Sequence, residues 1–149
     1  MAYFIIMNSF NFIQELISGN VNMILTGSLA ANYHGYDAHS YSNDIDFIID
    51  DSKYNLENIY KVLKKYDDSI ELNNIFKSYS IRTQIVGVNE KIDMFRYSIK
   101  TPNINYINLI ASKNYIIDTI NNIELKIISK LKLIETIQAN KQLKYQNIL

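Results

Sequence analysis

Three aspartates and one Gly-Ser pair are the residues of this chain whose types and spacing suit chemistry. The segment Leu25–Ile49 places Gly27-Ser28 after a short apolar run and builds Asp44-Ile45-Asp46 into the start of the next one. Side chains alternate along a strand, so Asp44 and Asp46 share a face while Ile45 and Phe47 take the other. Two ionised, half-buried carboxylates this close repel at a cost on the order of several kcal/mol unless a cation compensates. Hard Mg²⁺ (or Mn²⁺) suits such a site, taking one or two carboxylates together with phosphate oxygens and water. A third acid has a similar setting: Asp93 lies between Ile92 and Met94 in "EKIDMFRY". If that strand lies beside Asp44–Ile49, the three carboxylates are expected to converge within roughly 4–6 Å and to suit a two-metal site.

Gly27 and Ser28 supply the complementary half. Glycine at a strand-to-helix turn lets the backbone approach a ligand closely, and the amides that open the next helix suit phosphate. Metal-binding acids facing a phosphate-binding turn imply phosphoryl transfer from a nucleoside triphosphate.

The elements that must carry these groups follow from periodicity. Apolar spacing predicts a helix over residues 8–18, closed by Gly19-Asn20. A buried strand follows at Val21–Leu25, then a short helix Leu29–His34 with Ser28 as its cap and Gly35 at its end. Asp44–Ile49 reads as a strand, and Ser52 caps a helix from Lys53 to about Tyr66. Ile70–Leu72, Ser78–Val86 and Lys91–Tyr97 read as strands, the last two forming a hairpin. Ile104–Leu109 and Tyr115–Ile117 are ambiguous, Ile123–Ile127 is a short strand, and Lys130–Asn140 a helix with a helical tail at Leu143–Leu149. The fold expected is α/β: a mixed sheet with helices packed on its outer face, in one domain over residues 1–149 with a helical C-terminal segment from about 128.

The run "TGSLAANYHGYDAHSYSNDIDFII" resembles the core motif of the DNA polymerase β-like nucleotidyltransferase superfamily. Within it the likeness is to minimal nucleotidyltransferases of the toxin–antitoxin AbiEii type, with His34-Gly35 and Ser42-Asn43-Asp44-Ile45-Asp46 in matching places. Asp93 matches the third acid of that family, and "IISKLKLIE" resembles its late helical element, with Lys132 as a phosphate-binding lysine. The resemblance covers Ile24–Phe95 well and Ile123–Leu149 loosely. It implies Mg²⁺-dependent transfer of a nucleoside monophosphate from a nucleoside triphosphate such as ATP to an acceptor hydroxyl on a protein, an RNA end or a small molecule. Asp44, Asp46 and Asp93 would be catalytic and metal-binding, with Gly27, Ser28 and Lys132 on the phosphates. The chain departs from the pattern in two places: His39 and Ser40 stand where many relatives have Arg, and Lys144 and Asn147 stand where relatives carry acids. A second reading is a catalytically weak member serving as a partner-binding module, antitoxin-like or an assembly subunit.

Other features bound these readings. The only arginines, Arg82 and Arg96, suit phosphate or a surface ion pair equally. Lys130, Lys132, Lys141 and Lys144 read most simply as a solvated face. His34 suits packing, His39 lies in the loop beside the acids, and Tyr33, Tyr36 and Tyr41 suit either base stacking or packing. With 149 residues, zero net charge and no cysteine, the chain has no bulk electrostatic pull toward nucleic acid or membrane, and thiolate chemistry is excluded. The opening "MAYFIIMNSFNF" has no basic leader and is too interrupted to span a bilayer, so a cytoplasmic protein is expected. Its apolar part is expected either to pack as part of the first helix or to meet a partner chain or a second copy.

Overall fold

The structure is a computed structural model and describes residues 2–5, 7–36, 44–85 and 90–140. Its centre is a seven-stranded mixed sheet in the order β1-β4-β5-β3-β2-β9-β8. The strands are β1 (Ala2–Ile5), β2 (Met23–Thr26), β3 (Asp44–Ile49), β4 (Ser80–Ile85), β5 (Glu90–Phe95), β8 (Tyr115–Ile120) and β9 (Ile123–Ile128). A separate two-stranded ribbon pairs β6 (Tyr97–Ser98) with β7 (Thr101–Asn105). Among the described residues there are six helices: α1 (Ser9–Ser18), α2 (Gly27–Tyr33), α3 (Lys53–Lys64), α4 (Leu72–Lys77), α5 (Tyr106–Ala111) and α6 (Lys130–Asn140). No helix among those residues is long and apolar enough to cross a membrane.

One face of the central strands is largely apolar. Leu25 pairs with Phe47, Met23 with Ile49, and Phe47 with Met94, and all five are buried. The amphipathic helices α1 and α3 bring Phe12, Ile13, Leu16, Ile59 and Leu63 into the same core. Their ends are specified locally. The Asn8 side chain accepts from the amide of Phe10 at 2.8 Å, and Ser52 Oγ accepts from that of Asn55 at 3.3 Å. Asn55 itself is fully buried on α3 and ties together the ends of β2 and β3. Its Oδ1 accepts from the Asn22 amide at 2.6 Å, and its Nδ2 donates to the carbonyls of Asp50 at 2.6 Å and Asn22 at 3.1 Å. β3, which carries Asp44 and Asp46 at its start, is thus pinned to β2 at its other end.

Four expectations are corrected. Ala2–Ile5 is strand and not part of the first helix: edge strand β1 pairs parallel with β4, burying Tyr3 and Ile5 and leaving Phe4 exposed. Ala2–Ile5 is a short continuous apolar run, which periodicity alone does not assign to strand or helix. Ile70–Leu72 is no strand; Ile70 is buried ahead of α4, whose C-terminal carbonyls are held by Arg96. Asn105 splits the ambiguous stretch after residue 104, ending β7 and accepting from the Asn108 amide at 3.0 Å to open α5. The N-cap of α2 is Thr26 and not Ser28, which lies inside the helix. The loop over 86–89 and the tail over 141–149 lie outside the described residues.

Candidate functional site

The second sheet face carries the acids. β3 and β5 run parallel with Asp46 opposite Asp93 and Asp44 opposite Lys91, and Thr26 of antiparallel β2 lies opposite Asp46. Register partners point to the same side of a sheet, so Asp44, Asp46 and Asp93 share one face. Between them Ile45, Phe47, Ile92 and Met94 face the core. Strand alternation alone therefore separates the chemistry-bearing side chains from those that hold the sheet.

Gly27 is kept bare by this arrangement. It opens α2 at φ +69°, a left-handed backbone that glycine adopts without strain. A Cβ there would overlap Asp46 Oδ2 and lie 3.0 Å from Asp46 Cβ. The Asp46 carboxylate thus rests against the first residue of α2. Ser28 is buried, and its Oγ donates to the Asp44 carbonyl at 3.3 Å, fastening the start of α2 to the start of β3. The structure therefore brings Gly27 and Ser28 to the acids, with the serine hydroxyl engaged on backbone.

Asp93 is the most enclosed of the three, only 8% exposed. Burial raises its carboxyl pKa above the usual range; the Asp44 charge adds to this, while Arg82 and Lys91 oppose it. Arg82, the β4 partner of Asp93, brings its Nε to 3.5 Å from Asp93 Oδ1. That contact is an ion pair outside hydrogen-bond geometry, and Oδ1 remains buried with no hydrogen-bond donor.

A cleft of about 200 Å³ opens between Thr26, Gly27 and Asp46 on the sheet side and Thr136, Ile137 and Asn140 of α6, and of the three acids it is Asp46 that lines it. Lys132 is not brought to it. One helical step from Leu133, which faces the cleft, Lys132 turns to the other side of α6. There it pairs with Glu135 at 2.9 Å, and both line a larger cavity of about 770 Å³ beside β7 and α5. Leu133 and Ile137, at i, i+4, mark the side of α6 that walls the cleft.

Other expected participants are engaged elsewhere. His34 Nε2 lies 2.8 Å from the Ile128 carbonyl, Tyr33 hydrogen-bonds to Asp118, and the Lys130 ammonium sits 5.2 Å from the Tyr36 ring centroid. Arg96 donates to the carbonyl of Ser78 at 3.0 Å and of Ile75 at 3.2 Å, a structural clamp. His39, Ser40, Tyr41, Ser42, Asn43, Lys141, Lys144 and Asn147 lie outside the described residues.

The donor set fits a hard divalent cation: carboxylate oxygens on one face, one of them buried without a hydrogen bond. Among the described residues, no three His, Cys, Asp or Glu side chains are gathered closely enough to hold an ion as they stand. The three acids share a face without the tight convergence expected of them. No protein-family model, curated protein or solved structure matches this chain.

Proposed function

We propose that this chain is a metal-dependent nucleotidyltransferase with a nucleotidyltransferase-type fold, moving a nucleoside monophosphate from a nucleoside triphosphate to an acceptor hydroxyl. The observation that carries the reading is the single face shared by Asp44, Asp46 and Asp93, with Gly27 kept bare against Asp46. A face built only for stability gains nothing from three mutually repelling carboxylates. The strand-to-helix turn at Gly27, followed by Asp-x-Asp on the antiparallel neighbour, supports the same reading.

Asp44 and Asp46 would hold Mg²⁺ or Mn²⁺, and Asp93 would join them on the side of the acceptor. Bound metal supplies neutralisation of the triphosphate and acidifies the acceptor hydroxyl. Asp93, buried and short of hydrogen bonds, is suited to receive the proton that the hydroxyl loses. The acceptor oxygen bonds to the α-phosphorus as the bond to the pyrophosphate leaving group breaks. Gly27 admits the phosphate chain close to the backbone at the start of α2. Lys132, turned to the separate cavity, takes no part.

A second reading, a partner-binding module with a weak or inactive site, is favoured by the size of the cleft. Its volume of about 200 Å³ falls below the roughly 300–1,000 Å³ common for small-molecule sites. Calorimetric titration of Mg²⁺ or Mn²⁺ with ATP separates the two. Metal-dependent nucleotide binding, lost in Asp46→Asn while the apo melting temperature holds or rises slightly, is the expected result. Absence of metal-dependent binding in the wild-type protein, or marked destabilisation of apo Asp46→Asn, would overturn the enzyme reading.

A further inference from the structure

The acid face has a cation whose role the three acids do not explain. Arg82 stands opposite Asp93 in the β4–β5 register and so projects from the same face as Asp44 and Asp46. Its side chain is 58% exposed, and among the described residues its one ion-pair or hydrogen-bond partner is Asp93, approached through Nε. The other arginine makes the contrast: Arg96 is committed to three backbone carbonyls at the end of α4. A guanidinium has five donors in a planar fork, and one long contact to Asp93 Oδ1 leaves the fork largely unused. The carboxylate is left equally short, its Oδ1 buried without a donor in line. Both partners of this pair thus hold hydrogen-bonding capacity in reserve, as expected of two groups that also serve another ligand. Lys132, the lysine expected at the phosphates, pairs with Glu135 beyond α6. Arg82 and Lys91 are the cations whose charge is felt at Asp93.

We propose that Arg82 is an exchangeable counter-ion, pairing with Asp93 in the metal-free protein and turning its guanidinium to the triphosphate when a metal–nucleotide occupies the acid face. The inference rests on the nucleotidyltransferase reading and adds a residue to it. Arg82 competes with a divalent cation for Asp93 when the cation arrives alone. When it arrives with a triphosphate, the displaced guanidinium gains phosphate oxygens, for which its bidentate fork is suited. Arg82 is therefore a positioning residue for Asp93 and a binding residue for phosphate. The two roles predict effects of opposite sign from one substitution.

The test measures Mn²⁺ alone, and Mn²⁺ with a non-hydrolysable ATP analogue, against wild type, Arg82→Gln, Arg82→Lys and Lys91→Gln by calorimetry. Melting curves confirm that each variant is folded, which the exposure of Arg82 favours. Arg82→Gln is expected to bind Mn²⁺ alone about threefold tighter, because a competing charge is gone. It is expected to bind the nucleotide complex about tenfold more weakly, the loss of a charge-assisted contact. Arg82→Lys keeps the charge and should restore wild-type Mn²⁺ affinity while recovering nucleotide binding only in part. Lys91→Gln removes the same charge beside Asp44 and should not reproduce the nucleotide loss. Nucleotide affinity unchanged in Arg82→Gln, a shift of both affinities in one direction, or an equal effect from Lys91→Gln would overturn the exchange. Wild-type protein that fails to bind Mn²⁺–nucleotide overturns the nucleotidyltransferase reading and this inference with it. Wild-type binding with an indifferent Arg82 overturns the inference alone.

Discussion

The two faces of β3 and β5 are made by the same twelve residues and obey opposite rules. On one face Ile45, Phe47, Ile49, Ile92 and Met94 are at most 1% exposed and pack in the core under α1 and α3. On the other, one residue away, Asp44, Asp46 and Asp93 share a side with Lys91, and Asp46 lines the cleft walled by α6. Burial of apolar area stabilises the first face; on the second, Asp93 is desolvated and feels the Asp44 charge, with Arg82 and Lys91 opposing both. Because side-chain period in a strand is two, neither face can shift register without exchanging with the other. The apolar face therefore fixes where the acids point, and substitutions on the two faces should differ in kind as well as size.

The largest expected effect is on the apolar face. Phe47 is fully buried between Leu25 and Met94 in the sheet, and Phe47→Ala should cost about 3–5 kcal/mol of stability through lost transfer energy and the cavity left behind. Urea midpoints measure it. Asp46→Asn, next door and facing the opposite way, should move the midpoint little or slightly upward, and comparable losses from both would erase the distinction between the faces.

Gly27→Ala ranks next, because it forces a Cβ into the acid face from α2. The positive φ alone costs roughly 1–3 kcal/mol for a residue with a side chain. The Cβ would also push against the Asp46 carboxylate, so Mn²⁺ affinity should fall along with stability. The second part is separable. In an Asp46→Ala background, Gly27→Ala should cost measurably less than in wild type, a coupling expected of groups in contact. Strict additivity would mean that the closeness of Gly27 to Asp46 carries no energy.

How much of this was legible follows from the same alternation. The Asp44–Ile49 strand and the Lys130–Asn140 helix have the bounds that periodicity predicts, since each is long and regular for its type. The shared face of the three acids was readable once Asp93 sat in an apolar strand. The pairing of Arg82 with Asp93 was not, because register between β4 and β5 depends on a tertiary arrangement that no single segment encodes. Asn55 reads as an ordinary polar residue on a helix, and only the meeting of β2 with β3 gives its amide three backbone partners. Lys132 lies apart from the acids for a rotational reason: a step of about 100° along α6 separates it from Leu133, so that Leu133 lines the cleft and Lys132 the larger cavity. The mixed α/β sheet that the strand and helix spacing implies is what the structure displays.

The smallest expected effect is the most diagnostic, because its sign depends on which neighbour governs Asp93. Burial is the first cause of its raised pKa and Asp44 adds to it, while Arg82 and Lys91 pull the other way. A carboxyl with a folded pKa above its unfolded value favours the fold in its protonated form. Its stabilising contribution is fully present below the ordinary aspartate pKa of about 3.9 and is lost as pH rises through the raised value. In metal-free protein held in chelator, wild type should therefore lose ground to Asp93→Asn as pH climbs from about 4 toward neutrality. Urea midpoints of the two proteins across that range read the difference directly, with other titrating groups common to both. A gap that narrows with rising pH would mean that the Arg82 pair outweighs burial and holds Asp93 charged. Excess Mg²⁺ should narrow the gap at neutral pH by stabilising wild type more than Asp93→Asn, which keeps Asp44 and Asp46 but has lost the third carboxylate ligand.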